Sequence, residues 1–430
     1  MSVVGHNIAN VNTPNYSRQQ ATLASNTPQA FGTLEFGTGV SLTNIMGVRD
    51  KYLDLQITQA TSRQSGAQTR YQGIEGISSV FKDDGTSGLS SLVQKFYAAF
   101  SQLAARPEDG SVRTSVVGQA QSLVSGLQSR YQLVADQRTQ ADKNVAGIVT
   151  QVNTLTAQIA SLNARIAQET TPGADSDGRD QRQALATQLA TLVGVQVFED
   201  NHNQLQISLD SGAAVLVSGN QAYTMSASPG ANPPSYNQVS VTMGGTTIDV
   251  TAKIKEGSLG ANLDLRDNVL ASYQTKLDQL AAGLVAQTNL LHQTGFGVGA
   301  NATTTGVDFF KNAGANGANG LPSGYPKSLA GPPPAPDGNV YWNMVNSMSV
   351  NAAVVSDPTL IAASDTASTP GNNAMAKKIA ALQTATGTVD TNGDGARGTP
   401  APTACSSPAW WARSARTGRA SRRAAPPRTT

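Results

Sequence analysis

The sequence predicts an α+β protein: an elongated, multi-domain chain in which a long helical bundle or coiled-coil rod is interrupted by inserted antiparallel β domains. Three observations carry that expectation. Apolar residues from Tyr131 to Ile166 recur at alternating spacings of three and four, the seam of a long bundle helix. Segments 195–198 and 205–209 alternate with period two between turn residues, as half-buried strands do. Charged residues make up only 13% of 430, about half the usual share, so the surface is polar but weakly charged.

The opening stretch, 4–20, holds asparagines at 7, 10, 12 and 15. Val4, Ile8 and Val11 fall four and three residues apart and line one helical face. Asn12 tolerates the left-handed conformation that closes a helix, and Pro14 pushes Thr13 out of the helical region, so the helix stops near residue 12. So short a helix does not hold itself together in water. Its apolar face needs a partner, elsewhere in the chain or on another copy.

From 16 to 50 the texture is extended and irregular, broken at Gly32, Gly37 and Gly39, with Val40, Leu42 and Ile45 marking a short strand. A helical region follows on Tyr52, Leu55, Gln59, Tyr71, Ile74 and Ile77, with a gap at Asp83-Asp84-Gly85. Leu89, Val93, Phe96, Phe100 and Leu103 make a strong amphipathic stripe that Arg106-Pro107 terminates. Residues 112–168 then form the rod, about 85 Å long at 1.5 Å per residue, with Arg138 as the one break in its seam. Thr171-Pro172-Gly173 ends it, 174–179 reads as a polar loop, and a helix starts at Asp180 with Leu185, Leu189 and Leu192 on one face. Strands at 195–198, 205–209 and 214–217 suggest a small antiparallel sheet, and more short strands run to 254. Gly257 to Asp267 leads into a helix that ends at His292. Residues 311–340, with Pro332-Pro333-Pro334, read as linker, and 350–361 and 374–382 as a β-to-helix transition.

Chemistry-bearing patterns are sparse. Asp390 to Gly395 fits the first half of a calcium loop, but the bidentate glutamate it needs would fall at Ala401. His6, His202 and His292 lie too far apart for a zinc spacing. The acidic pairs Asp83-Asp84 and Glu199-Asp200 read as solvated turns, and His202 as a solvated loop histidine. No catalytic residue, metal or cofactor is predicted. The net charge of +2 is misleading, because seven arginines and no Asp or Glu follow Ala396. Removing those seven from the 30 basic residues leaves 23 against 28 acidic, a net of −5. That is a poor footprint for nucleic acid. The single Cys405 sits in the same tail, so no intrachain disulfide forms. No apolar run approaches the ~18 residues of a membrane span, and the N-terminus lacks the pattern of a cleaved signal.

Two sets of residues carry a resemblance. Asn7-Ile8-Ala9-Asn10-Val11-Asn12-Thr13-Pro14-x-Tyr16-Ser17-Arg18-Gln19 resembles the N-terminal signature shared by bacterial flagellar rod, hook and hook-associated proteins, with Asn15 where the family usually has glycine. Downstream, Asp180-Gln181-Arg182, the Leu192-Val193-Gly194-Val195 step, Leu259-Gly260 with Arg266-Asp267, Asn289, His292 and Asp308-Phe309-Phe310 follow one another as in the hook-associated protein 1 family. The match covers most of 4–310 in order.

The resemblance implies a non-enzymatic structural subunit that joins hook to filament by subunit packing. Asn7, Ile8, Ala9, Asn10, Asn12, Thr13, Pro14, Tyr16, Arg18 and Gln19 would form the assembly motif. Asp180, Gln181, Arg182, Gly194, Leu259, Gly260, Arg266 and Asp267 would hold the family's fold. Expected partners are other copies, the hook protein, the next hook-associated protein and a type III export chaperone, without nucleic acid or membrane insertion. Expected location is the extracellular flagellum, reached by the type III route without a cleaved signal. The domains expected are an assembly element at 1–25, a helical rod at 26–194, a β subdomain at 195–256, a returning helix at 257–296, a linker and partial β region at 297–395, and an Arg/Ala/Pro tail at 396–430.

Family members begin about a helix earlier and end in two further helices. The chain is therefore expected to be truncated at its start and frameshifted or truncated near 395, to fold its middle domains, and to restore motility poorly. Two alternatives stay open: another axial rod or hook subunit, or an extracellular adhesin or hydrolase on a coiled-coil stalk.

Overall fold

A computed structural model describes residues 3–13, 16–27, 29–31, 34–81, 88–169, 175–231, 235–312 and 343–384. In chain order the elements begin with α1 (Val3–Ala9), β1 (Gln19–Ser25), β2 (Gln29–Phe31), β3 (Leu34–Phe36), β4 (Val40–Gly47) and α2 (Lys51–Val80). Next come α3 (Leu89–Ala105), the 58-residue α4 (Gly110–Ala167) and α5 (Ser176–Leu192). Strands β5 (Val195–Glu199), β6 (Leu205–Leu209), β7 (Val215–Ser218), β8 (Gln221–Ala222), β9 (Thr224–Pro229), β10 (Asn237–Met243) and β11 (Thr246–Asp249) follow. Helix α6 (Gly257–Asp264) runs through a π turn, Leu265–Val269, into α7 (Leu270–His292). The described chain closes with β12 (Phe310–Asn312), α8 (Met344–Ser347), β13 (Met348–Val350), α9 (Ala352–Ser356) and α10 (Ala374–Ala381). The expected α+β class with long helices and small antiparallel sheets is what the chain adopts.

The chain divides into two compact units, one of 1–74 with 138–269, the other of 75–137 with 270–430. In the first, β5-β6-β7-β8 form a four-stranded antiparallel sheet and β11-β10-β9 a three-stranded one. Val145, Val149, Val152 and Ile159 of α4 share a core with Leu189 of α5, Ile207 and Leu216 of the larger sheet, Val239 of the smaller, and Leu259 of α6. The alternation in 205–209 is realised, with Leu205, Ile207 and Leu209 all buried. In the second unit Phe96 and Phe100 of α3 meet Phe309 and Phe310. Ile379 of α10 is fully buried in the same core, and the Asn373 amide donates to the Ala104 carbonyl at 2.6 Å.

Several expectations need correction. The polar loop at 174–179 is helix from Ser176, because Asp175 caps it by accepting the Gly178 N–H at 2.8 Å. The lead-in at 257–267 is itself helical. On α4 the buried stripe is broader than the heptad seam: Val149, Thr156 and Asn163 are buried while Ile148 and Leu155 are half-buried, since the helix packs on a sheet as well as on helices. On α2, Ile77 is buried and Leu55 and Ile74 half-buried as expected, but Tyr52 and Tyr71 are exposed, and the small residues Thr58, Ser62 and Gly66 make the rest of the inward face. A Cβ on Gly73 would collide with the Leu265 side chain, and the Ser65 hydroxyl donates to the Thr191 carbonyl at 2.7 Å. Close backbone approach, which hydrophobic periodicity does not register, is what seats this helix. Lys311 and Asn312, read as the start of the linker, belong to β12 and pair with β13, while the expected gap at 83–85, the helix stop at 171–173, residues 313–340 of the linker, the calcium-loop half and the tail lie outside the described residues.

Candidate functional site: the N-terminal motif on its acidic helix

The asparagine-rich opening folds around one side chain. The Asn7 carboxamide pairs with Gln19 as a neighbouring strand would: Nδ2 donates to the Gln19 carbonyl at 2.9 Å and Oδ1 accepts the Gln19 N–H at 2.8 Å. The same Oδ1 accepts the Tyr16 hydroxyl at 2.9 Å. That hydroxyl has one proton, so His6 Nδ1, also 2.9 Å away, is the donor to it. Asn10 Nδ2 donates to the His6 carbonyl at 3.0 Å, and the Thr13 hydroxyl to Asn10 Oδ1 at 3.3 Å. A seven-residue helix thereby gains the tertiary bonds that its own ladder cannot supply.

This folded segment rests on the first turns of α5. Asp180 Oδ2 accepts the Ser17 N–H at 2.8 Å, and Asp177 Oδ1 accepts Gln19 Nε2 at 3.0 Å. Asp177 also lies 3.7 Å from His6 Nε2, and Arg49 lies 3.6 Å from Asp180 Oδ1. Burial, with the carboxylates of Asp177 and Asp180, pushes the Tyr16 phenol above its usual range. A cleft of about 260 Å3 runs along this seam, lined by His6, Asn10, Thr13, Tyr16, Asp177, Asp180, Gln181 and Ala184.

The other side of the motif is bare. Val4, Ile8 and Val11 are 66%, 67% and 73% exposed. Ala9, Asn12 and Arg18 are exposed too, although the Arg18 carbonyl accepts the Val48 N–H at 2.8 Å where β1 and β4 begin to pair. The ten residues read as one motif therefore divide: Asn7, Asn10, Thr13, Tyr16 and Gln19 fold the segment, while Ile8, Ala9, Asn12 and Arg18 face solvent. Pro14 lies outside the described residues.

The downstream residues form two buried arginine nodes and the backbone between them. Arg182, 4% exposed, donates to Asn163 Oδ1 at 2.9 Å, the Asn203 carbonyl at 2.7 Å and Glu199 Oε1 at 2.8 Å. Burial lowers its pKa, partly offset by Glu199. Glu199 is not a solvated turn residue: it ends β5 and also pairs with Lys51 at 2.7 Å and Arg179 at 3.4 Å. Burial pushes its carboxyl up, but Lys51 and Arg182 outweigh that and hold it below the usual range. Asp200 does sit in the hairpin turn, where Oδ1 caps the N–H groups of His202 and Gln204 at 2.8 and 2.9 Å.

Arg266, at the π turn, forks onto Asp267 at 2.7 and 2.8 Å and reaches Asp142 and the Asn237 carbonyl at 2.7 Å each. Burial opposes its charge, but Asp267 and Asp142 more than compensate and raise its pKa. The Tyr236 ring lies 5.4 Å from this guanidinium and 5.0 Å from that of Arg138, which also donates to the Arg266 carbonyl at 3.0 Å. The break in the rod's seam is thus a buried polar anchor. Leu259 is fully buried. Gly194 and Gly260 sit where a Cβ would press on Asp210 and Glu256, and on the Lys255 backbone, respectively. Gln181 lines the cleft from an exposed position.

Sequence reasoning missed His6, Arg49, Asp177 and Asn163 as participants. Asn163 is fully buried on α4 and bonds the edges of two strands, accepting the Leu205 N–H at 2.9 Å and donating to the carbonyls of Leu205 and Gly219 at 2.8 and 2.7 Å. An asparagine inside an apolar stripe was its one available signal. Among the described residues no group of three or more His, Cys, Asp or Glu could hold a metal ion, and no helix is long and apolar enough to cross a membrane.

Residues 74–310 match the helical domain of flagellar hook-associated protein FlgK. Flagellar hook-associated protein 1 of Salmonella typhimurium is 30% identical over 319 residues, covering 72% of this chain and 56% of the relative. The Escherichia coli protein of that name is also 30% identical over 319 residues, with 72% and 57% covered. The chain thus spans little more than half the length of these relatives. The flagellar hook junction protein FlgK from Burkholderia pseudomallei superposes with a TM-score of 0.55 at 25% identity, over 60% of this chain and 46% of that one. On this evidence the chain belongs to the flagellar hook-associated protein FlgK family.

Proposed function

We propose that this chain is a non-enzymatic structural subunit of the bacterial flagellum that sits between hook and filament and acts by subunit packing. One observation carries the reading most directly. The polar side of the N-terminal motif is consumed inside the chain by Gln19, Asp177 and Asp180, while Val4, Ile8 and Val11 are left bare on a pre-ordered segment. Ordering the segment in advance lowers the entropy lost when a neighbour covers it. Weak charge suits the role, since Asn, Gln, Ser and Thr are buried between subunits at smaller desolvation cost than Lys or Glu.

In this reading residues 1–25 are the assembly element, and Arg182, Arg266, Gly194 and Gly260 hold the body that presents it. The partners are other copies, the hook protein and the next hook-associated protein. Export follows the type III route with a dedicated chaperone, which places the chain outside the cell.

Co-sedimentation with purified hooks tests the proposal. The chain is expected to pellet with hooks, and Ile8→Glu to lose most of that binding with its circular dichroism unchanged, because the side chain is exposed. Binding of Ile8→Glu equal to the parent's would overturn it. Binding to rod fragments but not to hook ends would favour a different axial subunit.

A further inference from the structure

Strand β1 leaves an open edge on the first unit. In its ladder with β4, the Val48 N–H donates to the Arg18 carbonyl at 2.8 Å and the Asn26 N–H to the Gly39 carbonyl at 2.9 Å. The extra residue in that ladder, Thr43, lies on β4, so β1 keeps a regular alternation and its even-numbered residues face β4 throughout. The odd-numbered ones turn outward. Gln19 shows this directly, since its N–H and carbonyl are both taken by the Asn7 carboxamide on the side away from β4. The next outward positions, Ala21, Leu23 and Ser25, have no such cover: among the described residues β1 pairs with β4 alone, and nothing else bonds their backbone.

This open row is closed off at both ends. Asn7 occupies Gln19, and past Ser25 the Thr27 carbonyl accepts the Thr38 hydroxyl at 2.9 Å while Pro28 has no N–H to give. The other edge of the ribbon is different, because the Ser176 hydroxyl of α5 donates to the Ile45 carbonyl there at 3.3 Å. Open edges are ordinarily guarded by a charge, a proline or a bulge. β1, Gln-Gln-Ala-Thr-Leu-Ala-Ser, carries none of them. Leu23 stands opposite Leu42, and the neighbouring cross-strand pair on that face is Ser25 with Val40. The three apolar side chains are 60%, 54% and 64% exposed, so the core does not use them. A two-stranded ribbon is marginal in water, and further strands stabilise it.

We propose that β1 pairs with β1 of a second copy, antiparallel, about a two-fold axis at Leu23. Ala21 then lies opposite the partner's Ser25, and Leu23 opposite the partner's Leu23. In that register every outward N–H and carbonyl of Ala21, Leu23 and Ser25 meets its complement. A foreign strand saturates the same groups, but β1 offers its copy a row of matching length and no charge to repel it. Leu23 against Leu23 also extends the Leu23–Leu42 pair into a row of leucines across the joined sheet. The contact consumes the open edge of both copies, so it closes as a dimer. It uses none of Val4, Ile8 or Val11, and stands or falls separately from the hook contact.

Sedimentation velocity of the full chain from micromolar to millimolar concentration tests the pairing. A monomer–dimer equilibrium is expected, weakened about tenfold by Leu23→Lys, which sets like charges against each other across the axis, and unchanged in Ile8→Glu. Circular dichroism of Leu23→Lys should match the parent's, because the side chain is exposed. Register is read in a Cys405→Ala background. Leu23→Cys should cross-link the two copies under mild oxidation, since directly opposed residues lie within the ~4.4–6.8 Å between Cα atoms that a disulfide spans. Thr22→Cys, offset along the strand from its own copy, should not. A monomer at every concentration would overturn the proposal. So would a dimer that survives Leu23→Lys or is lost in Ile8→Glu, or a Leu23→Cys chain that cross-links no better than Thr22→Cys.

Discussion

At the scale of single residues, side-chain carboxamides bond backbone that would otherwise lie unpaired. Asn7 does so for Gln19, Asn163 for Leu205, and Asn289 for the N–H groups of Phe309 and Phe310, both at 2.9 Å. Replacing Asn7 with alanine removes three bonds at once and should release the opening segment, at a cost of about 1–3 kcal/mol. Amide exchange in residues 3–13 should rise while α4 stays protected. His292 offers a pH test. It is 1% exposed, donates through Nδ1 to the Val307 carbonyl at 2.7 Å and accepts the Ala362 N–H on Nε2 at 3.0 Å, which fixes the neutral tautomer. Burial lowers its pKa from 6.5 to about 4, with the Val307 carbonyl opposing in part. Between those values the unfolded chain binds a proton that the folded chain does not, so stability is complete above pH 6.5 and is lost as pH falls towards 4. The expected loss is about 3 kcal/mol by pH 4, readable by urea unfolding at pH 7 and 4. An unchanged midpoint would show that the site opens before it protonates.

At the scale of elements, two helices illustrate opposite packing rules. The apolar stripe of α4 was legible because large side chains at helical spacing announce a buried face. The seat of α2 was legible only at Ile77, because the rest of its buried face is Thr58, Ser62 and Gly66, with Gly73 half-buried beside them, residues that a hydrophobic pattern ignores. Gly73→Val should destabilise the chain by about 1–3 kcal/mol, since its side chain would displace Leu265. Gly147→Ala on α4, where a Cβ meets nothing within 4 Å, should stabilise by about 0.5–1 kcal/mol. Thermal melts of the two variants should move in opposite directions. Helix α5 shows how one cap shifts a boundary: Asp175 starts the helix early enough to aim both Asp177 and Asp180 at the N-terminal segment.

At the scale of the whole molecule, stability comes from two apolar cores and the buried polar anchors among them. With Cys405 as its one cysteine, the monomer should show the same melting temperature with and without reductant. A shift would point to cross-linking between chains. The sequence by itself determined the α+β class, the long α4, the period-two strands and the motif at 7–19, because each is a local pattern written in residue spacing. Only the tertiary structure decided which halves of that motif face inward, that Glu199 joins Arg182 and Lys51, and that Arg138 meets Tyr236 and Arg266. Those partners lie from 17 to 148 positions apart, and nothing in local spacing encodes the direction from which a distant carboxylate or carbonyl will arrive.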